Sequence, residues 1–162
     1  MAPASSWRFP RKTDLADHFH ASAVLVDDRG VLVTGPSGSG KTSLCLALVA
    51  QCRIEGVAGR LVADDQVLLS AANGRLIATA PEPIAGLLEL RGFGPAPLRT
   101  EPRMVVDLLV RLVEPEVAPR IAGEATAELA GCPIPLLELP ARLPDMAARA
   151  VMGFLRLPPF RP

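Results

Sequence analysis

One stretch of the chain, Gly35-Pro36-Ser37-Gly38-Ser39-Gly40-Lys41-Thr42, decides the fold because it fits the phosphate-binding pattern G-x-x-x-x-G-K-[ST] at every fixed position. We call residues 35–42 the cradle. Its glycines stand where the backbone must turn with positive φ or come close to oxygen atoms. Lys41 would reach the β and γ phosphates of a nucleotide, and the Thr42 hydroxyl would be a ligand of Mg²⁺. The pattern therefore predicts that the cradle binds the phosphates of a nucleotide.

The sequence on both sides of the cradle has the strand-loop-helix order that a phosphate-binding loop requires. Residues 31–33 are a short apolar run with β-branched character, which suits a buried strand. Residues 43–50 contain no glycine or proline and are rich in helix-forming side chains. A second apolar run, residues 61–63, predicts another buried strand that ends in two aspartates. We predict an α/β fold with a P-loop strand-helix core and a mixed, partly antiparallel sheet.

Turn signals and apolar runs predict the remaining elements. The Asp28-Arg29-Gly30 turn separates two runs, 22–26 and 31–34, which we expect to pair as strands. Asn73-Gly74 is a strong hairpin signal and predicts an antiparallel hairpin. The other predicted elements are the hairpin strands at 67–70 and 76–79, a short helix or strand at 84–89, a long strand at 105–113, a strand at 134–139 and a helix at 145–156.

Length and charge limit the organisation of the chain and the classes of partner. At 162 residues, the chain is expected to form a single domain, residues 13–162, after a flexible N-terminus at residues 1–12. Its 17 basic and 17 acidic residues cancel, so neither a nucleic-acid surface nor an acidic-membrane surface is expected. No apolar run approaches the roughly 18 to 20 residues that cross a bilayer, and the N-terminus lacks the apolar core of a signal peptide. We therefore expect a cytoplasmic protein that meets its partner through a local site.

Two aspartates, Asp64 and Asp65, are the first candidates for chemistry beyond phosphate binding. They follow an apolar strand, where the second acidic element of phosphate-loop enzymes usually sits. One carboxylate can hold the magnesium shell, and the other can accept a proton from an attacking hydroxyl. The alternative is a solvated turn after a strand. His20, which stands beside His18 and Phe19, is either a structural histidine or a catalytic one.

Further charged residues have two interpretations each. Glu89 and Arg91 lie on one face of the chain if their stretch is extended, and the glycines that follow them permit a loop to close. They would form a metal ligand and a phosphate clamp, or a surface ion pair. Arg120 follows Pro119 and would either stabilise the charge of a transferring phosphoryl group or be a solvated loop arginine.

In combination, these motifs resemble the catalytic domain of the bacterial HPr kinase/phosphorylase family, in the short form that lacks the family's N-terminal domain. The resemblance covers residues 18–140 and rests on His20-Ala21-Ser22, the cradle, residues 61–67 (Leu-Val-Ala-Asp-Asp-Gln-Val) and residues 88–94 (Leu-Glu-Leu-Arg-Gly-Phe-Gly). It implies a phosphoenolpyruvate-carboxykinase-like P-loop kinase fold. It also implies a protein-serine kinase that uses ATP and Mg²⁺ and phosphorylates HPr, the phosphocarrier of the sugar phosphotransferase system.

The resemblance further implies a role for each matched residue. Lys41 would hold the β and γ phosphates, and Thr42 and Glu89 would ligate Mg²⁺. Asp65 would be the base that removes the serine proton. His20 matches the family's active-site histidine, and Arg120 matches its catalytic arginine. The predicted sets are catalytic Asp65, His20, Lys41 and Arg120; nucleotide-binding Gly35, Pro36, Ser37, Gly38, Ser39, Gly40, Lys41, Thr42 and Arg91; and metal-binding Thr42, Glu89 and Asp64.

Departures from the family pattern leave alternatives open. The family's proline-x-lysine-x-glycine-arginine-asparagine segment, associated with dephosphorylation, is replaced by Pro140-Ala141-Arg142-Leu143-Pro144-Asp145-Met146. The reverse reaction, in which phosphate attacks phosphoserine, therefore stays open. The chain also stops at Pro162, where longer members continue with helices that hold neighbouring subunits, so a homo-oligomer stays open as well. The other functional classes are an ATP-sensing module that transfers nothing and a small-molecule P-loop kinase.

Overall fold

The computed structural model describes residues 7–8, 17–82 and 86–161. Its helices are α1, Lys41–Ile54, and α2, Pro144–Phe154, and neither of these described helices has the length and apolar character needed to cross a bilayer. Of the predicted flexible N-terminus, residues 1–6 and 9–12 lie outside the described part. The strands are β1 Trp7–Arg8, β2 Asp17–Phe19, β3 Ser22–Val26, β4 Arg29–Thr34, β5 Gly59–Ala63, β6 Val67–Ala72, β7 Arg75–Thr79, β8 Leu87–Leu90, β9 Gly94–Pro97, β10 Arg103–Val105, β11 Leu108–Val113, β12 Ala125–Leu129 and β13 Cys132–Pro140.

Seven of the described strands form the main sheet, in the order β1-β12-β13-β11-β4-β3-β5. At its centre β4 pairs in parallel with β11, and β11 pairs in parallel with β13. β3 pairs antiparallel with both β4 and β5, and β12 pairs antiparallel with β13. The predicted mixed, partly antiparallel sheet is therefore confirmed. Because β4, β11 and β13 run in the same direction, the loops that follow them meet at one edge of the sheet, beside the cradle.

The two faces of the main sheet are covered by different layers. Val31 and Val33 of β4 share one buried cluster with Leu44 and Leu48 of α1, and α2 adds to the same layer. A second sheet, in the order β10-β7-β6-β2, covers the other face around Leu32. Burial on both faces explains why β4 is apolar at successive positions. The strand that precedes the cradle is therefore held from both sides.

Most of the other predicted elements are confirmed. The paired strands at 22–26 and 31–34 are β3 and β4, and the helix predicted at 145–156 is α2. The Asn73-Gly74 turn joins β6 to β7, and both of its residues have the positive φ that a two-residue hairpin turn requires. The strand predicted at 134–139 is the centre of β13. For the stretch predicted as a short helix or strand at 84–89, the strand alternative is confirmed at the residues of β8. Residues 84 and 85 lie outside the described part.

The long strand predicted at 105–113 is wrong, because the chain leaves the second sheet at the end of β10 and enters the main sheet as β11. At this crossing, the Val106 N–H donates to the Leu76 carbonyl at 2.8 Å. The Asp107 N–H donates to the Gly30 carbonyl at 2.8 Å, and the Asp107 carboxylate accepts from the Gly30 N–H at 2.9 Å. These tertiary contacts redirect an apolar run that is continuous in the sequence.

Gly30 is the residue of β4 against which the crossing segment packs. A methyl group at this position would lie 1.8 Å from the Val105 carbonyl oxygen, so the backbone would have to move. We expect Gly30→Ala to lower the free energy of unfolding by about 1 to 3 kcal/mol. The thermal midpoint should fall by roughly 2 to 10 °C, measured by differential scanning calorimetry.

Gly123→Ala is the matched control, since a methyl group there would meet no described atom within 4 Å. Its midpoint should equal that of the wild type. A Gly30→Ala midpoint that also equals the wild-type value would contradict the close approach of the crossing segment.

Candidate functional site

The cradle joins β4 to α1 with the geometry of an anion site. Gly40, at φ 94°, is the N-cap of α1, and the Leu44 N–H donates to the Gly40 carbonyl at 2.9 Å. The N–H groups of residues 41–43 precede this bond and have no carbonyl partner one turn earlier in the helix. They coincide with the positive end of the helix dipole. α1 therefore presents backbone donors to an anion in the cradle.

Close packing shapes the first half of the cradle. A methyl group at Gly35 would lie 2.7 Å from Ser39 Oγ and 3.0 Å from Leu112 Cβ, so only glycine fits there. The Lys41 side chain is buried, and its Nζ donates to the carbonyls of Gly35 at 3.1 Å and Pro36 at 3.3 Å. The lysine ammonium is therefore held at the loop in which a phosphate would bind.

A carboxylate at the end of β5 contacts the hydroxyl of the cradle. Thr42 Oγ donates to Asp64 Oδ1 at 2.7 Å, and Ser22 Oγ donates to the same oxygen at 2.8 Å. Glu89 lines the same pocket from β8. The fold thus brings together Thr42, Asp64 and Glu89, which are the residues predicted to bind a metal ion.

The second aspartate, Asp65, pairs with His20. Its Oδ1 lies 2.6 Å from His20 Nε2, and both side chains are more than half exposed. The pair is an ion pair only when the imidazole is protonated, and solvent screens it. Asp65 has a φ of 64°, a left-handed conformation that aspartate adopts more readily than most residues. Its N–H donates to Ser22 Oγ at 3.3 Å.

Most of the predicted residues line one open pocket of about 610 Å³ beside the cradle. The β8–β9 hairpin contributes Glu89 and Arg91 to this pocket. We call it the nucleotide pocket. Its lining residues are Ser37, Gly38, Gly40, Lys41, Thr42, Ser43, Leu46, Asp64, Asp65, Glu89, Leu90, Arg91, Arg142 and Pro144.

Other predicted residues lie outside the nucleotide pocket. His20, Gly35 and Pro36 line a neighbouring, mostly apolar cavity of about 670 Å³. The Ser39 side chain is buried, and its Oγ has no hydrogen-bond partner among the described residues. Arg120 lies in the exposed loop between β11 and β12 and lines neither space. Its role as the catalytic arginine stays a prediction.

Arg142 is a pocket residue that the sequence did not single out. It follows β13 with a φ of 63°, and its N–H donates to the Ser39 carbonyl at 2.9 Å. Its guanidinium donates to both oxygens of Glu114, at 3.2 and 2.5 Å. These hydrogen bonds lower the pKa of the Glu114 carboxyl and raise the pKa of the Arg142 guanidinium. The sequence signals for this position are an arginine shortly after a predicted strand and its place in residues 140–146, which replace a segment of the family pattern.

The oxygens of the nucleotide pocket suit Mg²⁺. This ion prefers oxygen ligands and usually binds through one or two carboxylates together with substrate phosphates and waters. Thr42, Asp64 and Glu89 offer a hydroxyl and two carboxylates at the pocket. Within the described ranges, no three histidine, cysteine, aspartate or glutamate side chains are grouped as a metal site. The donor set fits a metal ion that binds together with a nucleotide.

The amino-acid sequence of this chain is similar to those of proteins of one family. The HPr Serine kinase C-terminal domain family matches residues 13–143. HPr kinase/phosphorylase of Geobacillus kaustophilus is 34% identical over 145 residues, which are 81% of this chain and 45% of that protein. HPr kinase/phosphorylase of Clostridium tetani is 40% identical over 82 residues, which are 49% of this chain and 25% of that protein. The match therefore spans less than half the length of these curated relatives.

A solved structure agrees with the sequence matches. The Hpr(Ser) kinase/phosphatase from Coxiella burnetii superposes with a TM-score of 0.74 and 27% identity, over 86% of this chain and 96% of that one. The predicted P-loop kinase fold is confirmed by this likeness. The chain belongs to the HPr serine kinase C-terminal domain family.

Proposed function

We propose that this protein is an ATP- and Mg²⁺-dependent protein-serine kinase that phosphorylates the phosphocarrier HPr in the cytoplasm. The observation that carries the proposal is the placement of two aspartates beside the cradle. Asp64 is hydrogen-bonded to the cradle hydroxyl of Thr42, whereas Asp65, the next residue, is hydrogen-bonded to His20. One carboxylate therefore lies at the phosphate end of the pocket, and the other is available for a proton.

In the proposed complex, ATP places its phosphates in the cradle. Lys41 would exchange its contacts with the carbonyls of Gly35 and Pro36 for the β and γ phosphates. Thr42, Asp64 and Glu89 would hold Mg²⁺, and the ion when bound would neutralise charge on the phosphate oxygens. Because the cradle amides are fixed by α1, the nucleotide meets donors that are already oriented.

Asp65 is the proposed base. Its Oδ1 is hydrogen-bonded to His20, so Oδ2 is the oxygen available to accept the serine proton. As the serine oxygen bonds to the γ phosphorus, the bond from that phosphorus to the ADP oxygen breaks, and the proton passes to Asp65. His20 would orient the carboxylate during this transfer.

Two arginines of the pocket are suited to the charge of the phosphates. Arg91 follows β8, and Arg142 follows β13, so two arginines line the nucleotide pocket from different elements. Arginine pairs with phosphate through several fixed N–H donors. We infer that Arg142 exchanges Glu114 for a phosphate oxygen when the nucleotide binds, and Arg120 remains a further candidate for the transition-state charge.

Asp65→Asn tests the proposed base. The substitution keeps the shape of the side chain but removes its proton-accepting charge, so the rate of HPr phosphorylation should fall by about 100-fold or more. Binding of MgADP, measured by calorimetry, should stay near the wild-type value. Phosphoserine formation on HPr is followed by mass spectrometry with ATP and Mg²⁺ present.

The matched control is Asp28→Asn, an exposed carboxylate in the turn between β3 and β4, which should leave the rate unchanged. A wild-type rate of HPr phosphorylation in Asp65→Asn would show that Asp65 is not the base. A wild-type protein that binds ATP but forms no phosphoserine on HPr would contradict the proposed function and favour the ATP-sensing module.

Arg142→Ala tests the exchange of partners. Loss of a charge-assisted hydrogen bond to phosphate should weaken MgADP binding by about tenfold. Arg149→Ala, an exposed arginine of α2 that does not line the nucleotide pocket, should bind MgADP like the wild type. Equal affinities of the two variants in isothermal titration calorimetry would contradict the role of Arg142.

A further inference from the structure

Ser22 is a buried serine that contacts both aspartates of the site. It begins β3, and its side chain has no solvent exposure. Its Oγ donates to Asp64 Oδ1 at 2.8 Å and accepts from the Asp65 N–H at 3.3 Å. We propose that Ser22 is a positioning residue that sets the orientation of both carboxylates, a role that rests on the proposed function of the site.

The first consequence concerns the metal-binding end of the site. Asp64 Oδ1 accepts hydrogen bonds from Thr42 at 2.7 Å and from Ser22 at 2.8 Å. A carboxylate oxygen offers two lone pairs, so these two donors satisfy Oδ1. They hold the carboxylate from two different elements, α1 and β3. Oδ2 is therefore the oxygen that Asp64 presents to Mg²⁺ or to its waters.

The second consequence concerns the backbone of Asp65. Its φ of 64° lies in the left-handed region, which costs free energy for residues other than glycine. The Asp65 N–H finds its acceptor in Ser22 Oγ, and the Gln66 N–H donates to the Asp64 carbonyl at 2.8 Å. Ser22 therefore helps to hold the turn that directs the Asp65 carboxylate to His20.

An irregularity in the main sheet places the two aspartates next to Ser22. Ala23 pairs with Ala63, whereas Val24 pairs with Leu61, so β5 carries one extra residue between these pairs. Such bulges bend a strand and re-aim the side chains that follow, often beside active sites. The bend lies just before the aspartates, while Ser22 itself stays in the regular pairing of β3 with β4. A side chain on a packed strand holds its partners more precisely than one on a loop.

These contacts make one continuous hydrogen-bonded chain, Thr42–Asp64–Ser22–Asp65–His20. The side chains of Thr42 and Asp64 are its metal-binding end, and Asp65 with His20 is its proton-accepting end. Ser22 is the link between the two ends. Residues that orient metal ligands in this way typically change metal affinity or activity by about 10- to 100-fold when they are replaced.

Ser22→Ala tests the proposal because it removes the hydroxyl with little change in volume. We expect the Mg²⁺ concentration for half-maximal ADP binding to rise about 10- to 100-fold, measured by calorimetry across a series of MgCl₂ concentrations. ADP binding without Mg²⁺ should stay unchanged, because Lys41 and the cradle amides are intact. Hydrogen exchange at the Asp65 amide should become faster. At saturating Mg²⁺, the kcat for HPr phosphorylation should fall, and its relative change should be larger than that of the KM for ATP.

Two variants separate positioning from a general loss of stability. Ser22→Thr keeps the hydroxyl and should restore the Mg²⁺ dependence of the wild type. Val26→Ala, on the same strand, equally buried and distant from the irregularity, should lower the thermal midpoint without changing Mg²⁺ dependence or exchange at Asp65. If Ser22→Ala behaves like Val26→Ala, the positioning role is overturned. Failure of the wild type to phosphorylate HPr would refute the proposed function instead, since the calorimetric and exchange measurements need no turnover.

Discussion

The hydrogen bond between the Thr42 hydroxyl and the Asp64 carboxylate is the contact on which the site depends. β3 runs antiparallel to both β4 and β5 and lies between them, so the carboxyl ends of β4 and β5 share one edge of the main sheet. Two strand spacings, roughly 10 Å, separate those ends. The cradle reaches across from β4 through the first turn of α1, and Asp64 reaches back from β5. Ser22 begins β3 and fills the position between them.

Charge at the site is balanced locally. The nucleotide pocket is lined by three carboxylates and three cationic side chains, which are Asp64, Asp65, Glu89, Lys41, Arg91 and Arg142. Equal numbers of basic and acidic residues over the whole chain give no sign of this concentration. Lys41 is bonded to cradle carbonyls and Arg142 to Glu114. On the proposed function, a bound phosphate would replace some of these partners, so nucleotide affinity would depend on an exchange of contacts as well as on attraction between charges.

The sequence predicted those parts of the fold and the site that short stretches encode. The cradle, the strand that ends in Asp64 and the Asn73-Gly74 hairpin depend on residue order within a few positions. The break in the run 105–113 does not, because contacts with Gly30 from the main sheet impose it. Arg142 reaches the cradle only because β13 lies parallel to β11, which is a property of the whole sheet. Such placements cannot be derived from local pattern.

His20 and its partner Asp65 line two different spaces beside the cradle, the apolar cavity and the nucleotide pocket. His20 lines the apolar cavity together with Gly35 and Pro36, whereas its partner Asp65 lines the nucleotide pocket. The 2.6 Å contact between the two side chains therefore lies where the two spaces adjoin. A base for phosphoryl transfer has to lie within hydrogen-bond reach of the acceptor hydroxyl and beside the line on which that oxygen attacks the γ phosphorus, since it removes the hydroxyl proton as the new bond forms. On the proposed function, the nucleotide would occupy the nucleotide pocket, and the acceptor serine would reach Asp65 from the side of His20.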